Sequence, residues 1–498
     1  MKRRDLLVGA TALAVAGATG YAWSQRGNGP VTDVASRPRL GMPPLLDTRD
    51  SGRLELTAMG GRTRFFGRNV SPTIGFNQPY LGPTIRMANG PLDVAVANSL
   101  QFPVSAHWHG LMVPGEHDGG PHLAISPGEV WRPDMNIDQL PGTAFYHTHV
   151  HERTATDVYA GLGGIIHVSD GRDDERGLPS NYGIDDLTIV LQDRQFDGEG
   201  RMVYGFSMMD QMHGLTGDVM VINGQIGAVA AVPRGVSRLR LINASNARIY
   251  PLFADDGRPL HLVATDGGFL PAPLEVETVT LSPGERVELL VDFSDGKPLT
   301  LMSGGDPNQG LGGMMGRFRG LFDRMIDRSF PVLPLLVDEK LPVRITSLPD
   351  DLGGELPNLP SAVRTRHFSL DMGMGGMMGG GMTGRGGMMG GFGINGRSFD
   401  MRRIDIEAER GSVERWIIGS PMLLHPFHIH GVSFQVVRQR GQQPSAENSG
   451  WKDTVLVGGE TEILVRFDHP ASREAPYMYH CHILEHEDGG MMGQLAVT

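Results

Sequence analysis

Ten of the eighteen histidines in this chain fall into four short motifs: His107-Trp108-His109, His147-Thr148-His149, His425-Pro426-Phe427-His428-Ile429-His430, and His480-Cys481-His482 with His486 following. Residues i and i+2 of an extended strand face the same side, so each His-X-His pair projects two imidazoles onto one face. Neutral imidazole is the commonest side-chain ligand for copper and zinc. One such pair carries little weight, because solvent-facing strand histidines pair by chance. Four pairs, two early and two late in the chain, form a pattern. If the first and last parts of the chain pack together, His107, His109, His147, His149, His428, His430, His480 and His482 enclose a site large enough for three metal ions. Reduction of dioxygen to water takes four electrons, which three metals and one further one-electron centre could store.

That further centre has its own residues. Cys481-x4-His486-x4-Met491, with His425 upstream, supplies a thiolate, two imidazoles and a thioether. Two histidines and a cysteine with a weak axial methionine are the blue-copper electron-transfer set. Cys481 is the only cysteine in the chain, so no intrachain disulfide can form. A lone cysteine is usually an inert buried residue, but a coordinated thiol is deprotonated and loses that inertness. By strand alternation Cys481 points to one side while His480 and His482 point to the other. The sulfur would grip one metal centre and its neighbours the other, joined by a few covalent bonds.

Such ligands need rigid strands behind them. The chain has 498 residues, 40% hydrophobic and 20% charged, which suits a soluble multidomain protein. Short runs such as Leu92–Val96, Ser237–Ile242 and Val287–Val291 alternate apolar and polar residues between Gly, Pro, Asn and Asp, predicting antiparallel β structure and no long amphipathic helix. A diluted repeat runs through them: Pro127-Gly128-Glu129, Pro283-Gly284-Glu285 and Gly458-Gly459-Glu460, with Ile222-Asn223-Gly224 echoed by Ile394-Asn395-Gly396. Spacings near 150 residues fit three β-sandwich domains. The histidines stand in the first and third copies and apolar residues replace them in the second, as expected of a spacer. The expected boundaries are 45–172, 180–340 and 355–498, after a leader over 1–26 and a linker over 27–44.

Lys2-Arg3-Arg4 ahead of the apolar stretch Leu6–Ala18 resembles a twin-arginine export signal, too short for a stable membrane anchor. The expected location is therefore periplasmic or otherwise exported, without membrane insertion once the leader is gone. A net charge of −12 argues against nucleic acid as a partner.

His-Trp-His-Gly (107–110), Tyr-His-Thr-His (146–149), His-Pro-Phe-His-Ile-His-Gly (425–431) and His-Cys-His-Ile-Leu-Glu-His (480–486) resemble the four copper motifs of the multicopper oxidase family, in order and with every ligand present. The resemblance implies an all-β chain of three consecutive cupredoxin-like Greek-key sandwiches, monomeric, with no copper in the second. It implies four copper ions: one type 1 held by His425, Cys481, His486 and Met491, one type 2 by His107 and His428, and a type 3 pair by His109, His147, His149, His430, His480 and His482. Within the family the chain is most similar to bacterial periplasmic cuprous oxidases of copper tolerance. Val113-Pro114-Gly115-Glu116, Trp451-Lys452-Asp453 and a methionine-rich insertion carry that similarity. Asp118 and Glu487 stand where the family has acidic groups that relay protons; the other reading is carboxylates that orient ligand imidazoles. In cuprous oxidases an acidic residue precedes the first type 1 histidine, whereas here Ser420-Pro421-Met422-Leu423-Leu424 has none, leaving Met422 for that place.

Residues 372–389 contain seven methionines (Met372, Met374, Met377, Met378, Met382, Met388, Met389) and nine glycines. Glycine opposes helix, and thioethers are soft ligands suited to Cu(I). The segment is expected to be a copper-capturing flap, or else a low-complexity loop. The expected activity is oxidation of Cu(I) and of phenolic or other small organic donors coupled to O2 reduction. The alternatives are a laccase-like phenol oxidase with no copper-specific role and an exported copper-sequestering protein.

Overall fold

A computed structural model describes residues 37–66, 69–205, 208–308, 328–372 and 391–498. The leader, and Met374, Met377, Met378, Met382, Met388 and Met389 with it, lie outside the described residues. Three hydrophobic cores follow one another along the chain. The first runs from Leu54 to Val168, the second from Leu178 to Leu352, and the third is built on residues from Phe368 to Val497. The first two domains each stack two sheets, and the third is one extensively paired nine-stranded sheet wrapped around its core. The α-helices among the described residues are short, the seven-residue Thr154–Ala160 being the longest.

The prediction of antiparallel structure needs one correction, because the sheets are mixed. Arg53–Thr63 pairs parallel with Gly90–Asn98, Asp186–Phe196 parallel with Val236–Asn243, and Arg364–Met372 parallel with Val413–Ile429. Short hairpins can only give antiparallel neighbours. Strands that arrive from the opposite sheet of a sandwich have no such restriction.

The middle domain is more than a spacer. Val236–Asn243 alternates Leu239 and Leu241, which enter the core, with Arg238 and Arg240 on the opposite face. That second face is buried as well, where the first domain covers it. Arg238 Nε donates to Glu288 at 2.7 Å, Arg240 Nε to Asp186 at 2.7 Å, and Thr143 of the first domain donates to Glu288 at 2.6 Å. Burying charge is tolerable only when it is paired in this way.

Two strands of the third domain do most of the positioning. Val413–Ile429 lies antiparallel to Tyr477–Cys481, with Phe427 opposite Cys481 and His428 opposite His480. Directly opposed residues share a face and alternate residues change face. His428 and His480 therefore look outward to the first domain, while His425, Phe427 and Cys481 look into the third.

Candidate metal centres

The loop after Cys481 folds back onto its own strand. Cys481 N donates to the Met491 carbonyl at 3.1 Å, Met491 N to the His486 carbonyl at 2.9 Å, and Ile483 N to the Cys481 sulfur at 3.4 Å. This closure carries His486, on the short helix Leu484–Asp488, to the sulfur side of the strand. The His425 Nδ1 lies 3.3 Å and the His486 Nδ1 3.7 Å from Cys481 Sγ, all three residues being buried. Met491 is fully buried in the same core. His486 Nε2 donates to the Met212 carbonyl at 3.1 Å, and the Phe392 ring stacks on its imidazole at 4.4 Å.

On the other side of the strand eight imidazoles converge. Ligand atoms lie within 4.8 Å of one another in three all-histidine groups: His107, His109 and His428; His109, His147 and His482; His149, His430 and His480. The strand premise for the pairs holds only in part. His107 forms an isolated bridge with His147, His109 lies in the turn that follows it, and His149, His430 and His482 lie just past strand ends. Their ring nitrogens nonetheless converge with those of His107, His147, His428 and His480.

Hydrogen bonds fix which nitrogen each ring presents. A carbonyl can only accept, so a ring nitrogen bonded to it carries the proton. His107 Nδ1 donates to the Asp118 carbonyl at 3.0 Å, His147 Nδ1 to that of Thr148 at 2.9 Å, His428 Nδ1 to that of Asp453 at 2.9 Å, and His480 Nδ1 to that of Cys481 at 3.0 Å. Nε2 of His107, His147 and His428 is then buried with no hydrogen-bond partner, as are both nitrogens of His482. His430 Nε2 sits 3.3 Å from His480 Nε2 although each ring carries its proton on Nδ1, the former's directed at Asp118 Oδ2, 2.7 Å away. Two facing lone pairs at that distance repel unless a cation lies between them. Orphaned, converging, neutral imidazoles with a soft sulfur nearby fit copper.

Burial keeps these rings neutral. It drives His109, His147, His149, His430 and His482 well below the ordinary imidazole range, His428 to about 4 and His425 to about 3. In the unfolded chain they would titrate near 6.5. The metal-free protein should therefore keep its full stability above about pH 6.5. As the pH falls from there toward 4 it should lose up to about 1.4 kcal/mol per pH unit for each such ring. Denaturant midpoints of metal-free protein between pH 7 and 5 would check this, a flat profile being the contrary result.

Both acidic candidates reach the histidine cluster. Asp118 Oδ2 lies 2.7 Å from His430 Nδ1 and 3.3 Å from His107 Nδ1, with Oδ1 buried and unpartnered. Glu487 comes within 3.2 Å of His480 Nδ1 and 3.5 Å of His149 Nδ1, but neither of its oxygens makes a well-aligned hydrogen bond. Met422 is exposed, in an irregular stretch between Ser420 and His425. Asn308 of the middle domain pins that stretch, accepting from Leu424 N at 2.7 Å and donating to the Leu424 carbonyl at 3.0 Å. Met372 pairs with Phe392 across a strand ladder, and the Phe392 ring stacks on His486.

Sequence reasoning missed what the middle domain contributes. A Cβ on Gly284 would come within 2.9 Å of His482 and 3.0 Å of His109, and its φ of +85° also favours glycine. Lys452 is buried against Asp266 and Glu285, both at 2.9 Å, and the carboxylate of Asp453 meets Arg286. Burial alone would raise Asp453, but Arg286 and then His109 outweigh it and hold the group well below the usual carboxylate range. The repeated Pro-Gly-Glu signal at 283–285 and the Trp451-Lys452-Asp453 run were the sequence clues to this corner.

Models of the multicopper oxidase family match residues 60–173, 187–301 and 370–498. The chain belongs to the multicopper oxidase family. It is similar to the laccase-like multicopper oxidase CueO from the lignin-degrading bacterium Ochrobactrum sp., which has oxidase activity towards lignin model compounds and lignosulfonate. That structure is 39% identical with a TM-score of 0.82, over 92% of this chain and 100% of that one. A multicopper oxidase from Campylobacter jejuni, described as a metallo-oxidase, is 28% identical with a TM-score of 0.76, over 93% of this chain and 97% of that one. Among curated proteins, the cell division protein FtsP of Yersinia pestis is 39% identical over 93% of this chain and 92% of its own length.

Proposed function

We propose that this protein is an exported copper oxidase that accepts electrons singly and passes them to dioxygen, with Cu(I) and small phenolic donors as substrates. The observation that carries the reading is the opposed facing of Cys481 and its two neighbours: the sulfur beside His425 and His486, His480 beside His149 and His430, and His482 grouped with His109 and His147. In this reading His425, Cys481 and His486, with Met491 as the weak fourth ligand, hold the type 1 copper. His107 and His428 hold the type 2 ion, and His109, His147, His149, His430, His480 and His482 the type 3 pair. Bound copper supplies one-electron redox steps and the reduction of O2 to water.

The chain supplies the rest. Cys481 joins the two centres covalently to His480 and His482. The Met212 carbonyl orients the His486 ring, and burial keeps His109, His147, His149, His425, His428, His430 and His482 neutral. Four protons must accompany four electrons, and Asp118 and Glu487 are the carboxylates assigned to hold and pass them.

Cu(I) as substrate is supported by what surrounds His486 and His425. Met372 and Phe392, on either side of residues 373–390 in sequence, pair beside the His486 ring, and exposed Met422 stands three residues before His425. Oxygen uptake with Cu(I) and with a phenol, for the full chain and for one lacking residues 373–389, tests this. Deletion should lower Cu(I) turnover several-fold and spare phenol turnover. Unchanged Cu(I) turnover would remove the capture role. An export leader is consistent with this role, and no helix of the described residues is long and apolar enough to cross a membrane.

A second reading comes from the FtsP relatives, whose name assigns them to cell division. A division role could exist alongside oxidase chemistry or without it. A Cys481→Ser chain that still corrected a division defect in cells lacking this protein would separate that role from copper chemistry.

A further inference from the structure

The guanidinium of Arg286, in the domain assigned no copper, is fully buried where all three domains meet, and all five of its N–H groups are used. Nε donates to the Thr143 carbonyl of the first domain at 3.1 Å. Nη1 donates to the Gly284 carbonyl at 3.1 Å and Nη2 to that of Asp266 at 3.1 Å, both within the second domain. The two remaining N–H groups form a fork on Asp453 of the third domain, at 2.7 Å to Oδ1 and 2.6 Å to Oδ2. A fork of this kind fixes a carboxylate in orientation as well as in place.

Asp453 in turn controls two imidazoles in opposite senses. Its Oδ1 lies 3.0 Å from His109 Nε2, and its backbone carbonyl accepts from His428 Nδ1 at 2.9 Å. A carboxylate held by arginine can only accept, so His109 carries its proton on Nε2 and offers Nδ1, whereas His428 offers Nε2. These two offered nitrogens are among the buried atoms left without a partner. Thr454 completes the arrangement, donating from Oγ1 to Asp453 Oδ1 at 2.9 Å.

We infer that Arg286 is a positioning residue: through Asp453 the middle domain sets which nitrogen His109 and His428 present to the histidine cluster, and so whether the first and third domains form one metal site. The inference rests on the copper reading given above. It gives the middle domain a role in metal retention rather than in spacing alone. Lys452 is the natural control, being equally buried at the same domain junction, while its ammonium meets Asp266 and Glu285 and, among the described residues, no imidazole.

Purified wild-type, R286Q, R286K and K452M proteins, loaded with copper, are exposed to a graded series of a copper chelator. Copper per chain, the thiolate-to-copper absorption and the EPR spectrum are read at each step. In R286Q the cluster copper should leave at chelator concentrations about 10–100-fold lower than in wild type, the usual cost of losing a partner that orients a ligand. The thiolate band should stay at wild-type strength, because Arg286 does not touch the Cys481 side. R286K, which keeps the charge but not the fork, should fall between the two, and serves if R286Q does not fold. K452M should unfold at lower temperature yet keep its cluster copper. Wild-type retention in R286Q or R286K, or equal loss in K452M, would overturn the inference. A wild-type chain that took up no copper would overturn the oxidase reading itself, a separate and recognisable outcome.

Discussion

Replacing Cys481 with serine should abolish the intense thiolate-to-copper absorption and lower oxidase turnover by more than about 100-fold, beyond what loss of an outer partner costs. The hydroxyl is a hard, weakly acidic ligand where a soft thiolate stood between His425 and His486. The covalent route from the donor-facing centre to His480 and His482 would remain as backbone but would end in a poor ligand. The His107–His428 side of the cluster shares no atom with Cys481, so its copper should persist in the variant. Turnover with a phenol and copper per chain, measured on one preparation, separate these effects. A serine variant that kept near-normal turnover would require a different electron path.

The second large effect concerns protons. Asp118→Asn and Glu487→Gln should each lower the maximal rate by roughly 100-fold, in the range found when a general acid is removed, with the thiolate band intact. Each carboxylate lies within 3.5 Å of cluster imidazoles and has at least one oxygen buried without a hydrogen bond. An amide of the same shape can still orient a ring, but it cannot deliver a proton. This distinguishes the two readings left open by the sequence. Retained rate with retained copper would make both residues orienting groups only. Lost copper in either variant would point the same way, and a slow enzyme with a full copper complement would support proton delivery.

The converging histidines and Cys481 were legible in the sequence because they stand in short contiguous motifs. The alternation that sends Cys481 one way and His480 and His482 the other follows from the period of a strand, whatever packs around it. The all-β class was legible for the same reason. The mixed sheets were not, since the parallel partners of Val413–Ile429 and Met492–Val497 come from distant segments, Arg364–Met372 and Ile406–Ala408. Nor was the burial of both faces of Val236–Asn243, because Arg238 and Arg240 look like a solvated edge until the first domain covers them. Arg286, Asn308 and the Met212 carbonyl act through common residue types or backbone atoms, with no motif to mark them. Their roles exist only once the three domains are assembled.

In the proposed reading, the Cys481 sulfur and its two neighbouring imidazoles belong to two linked copper centres. Copper per chain, together with the optical and EPR spectra of the purified protein, tests it most directly. About four coppers are expected, with a strong thiolate-to-copper band and EPR signals from only part of the bound metal, the rest being a coupled pair. Fewer than two coppers per chain after loading, or full loading with no thiolate band, would contradict it.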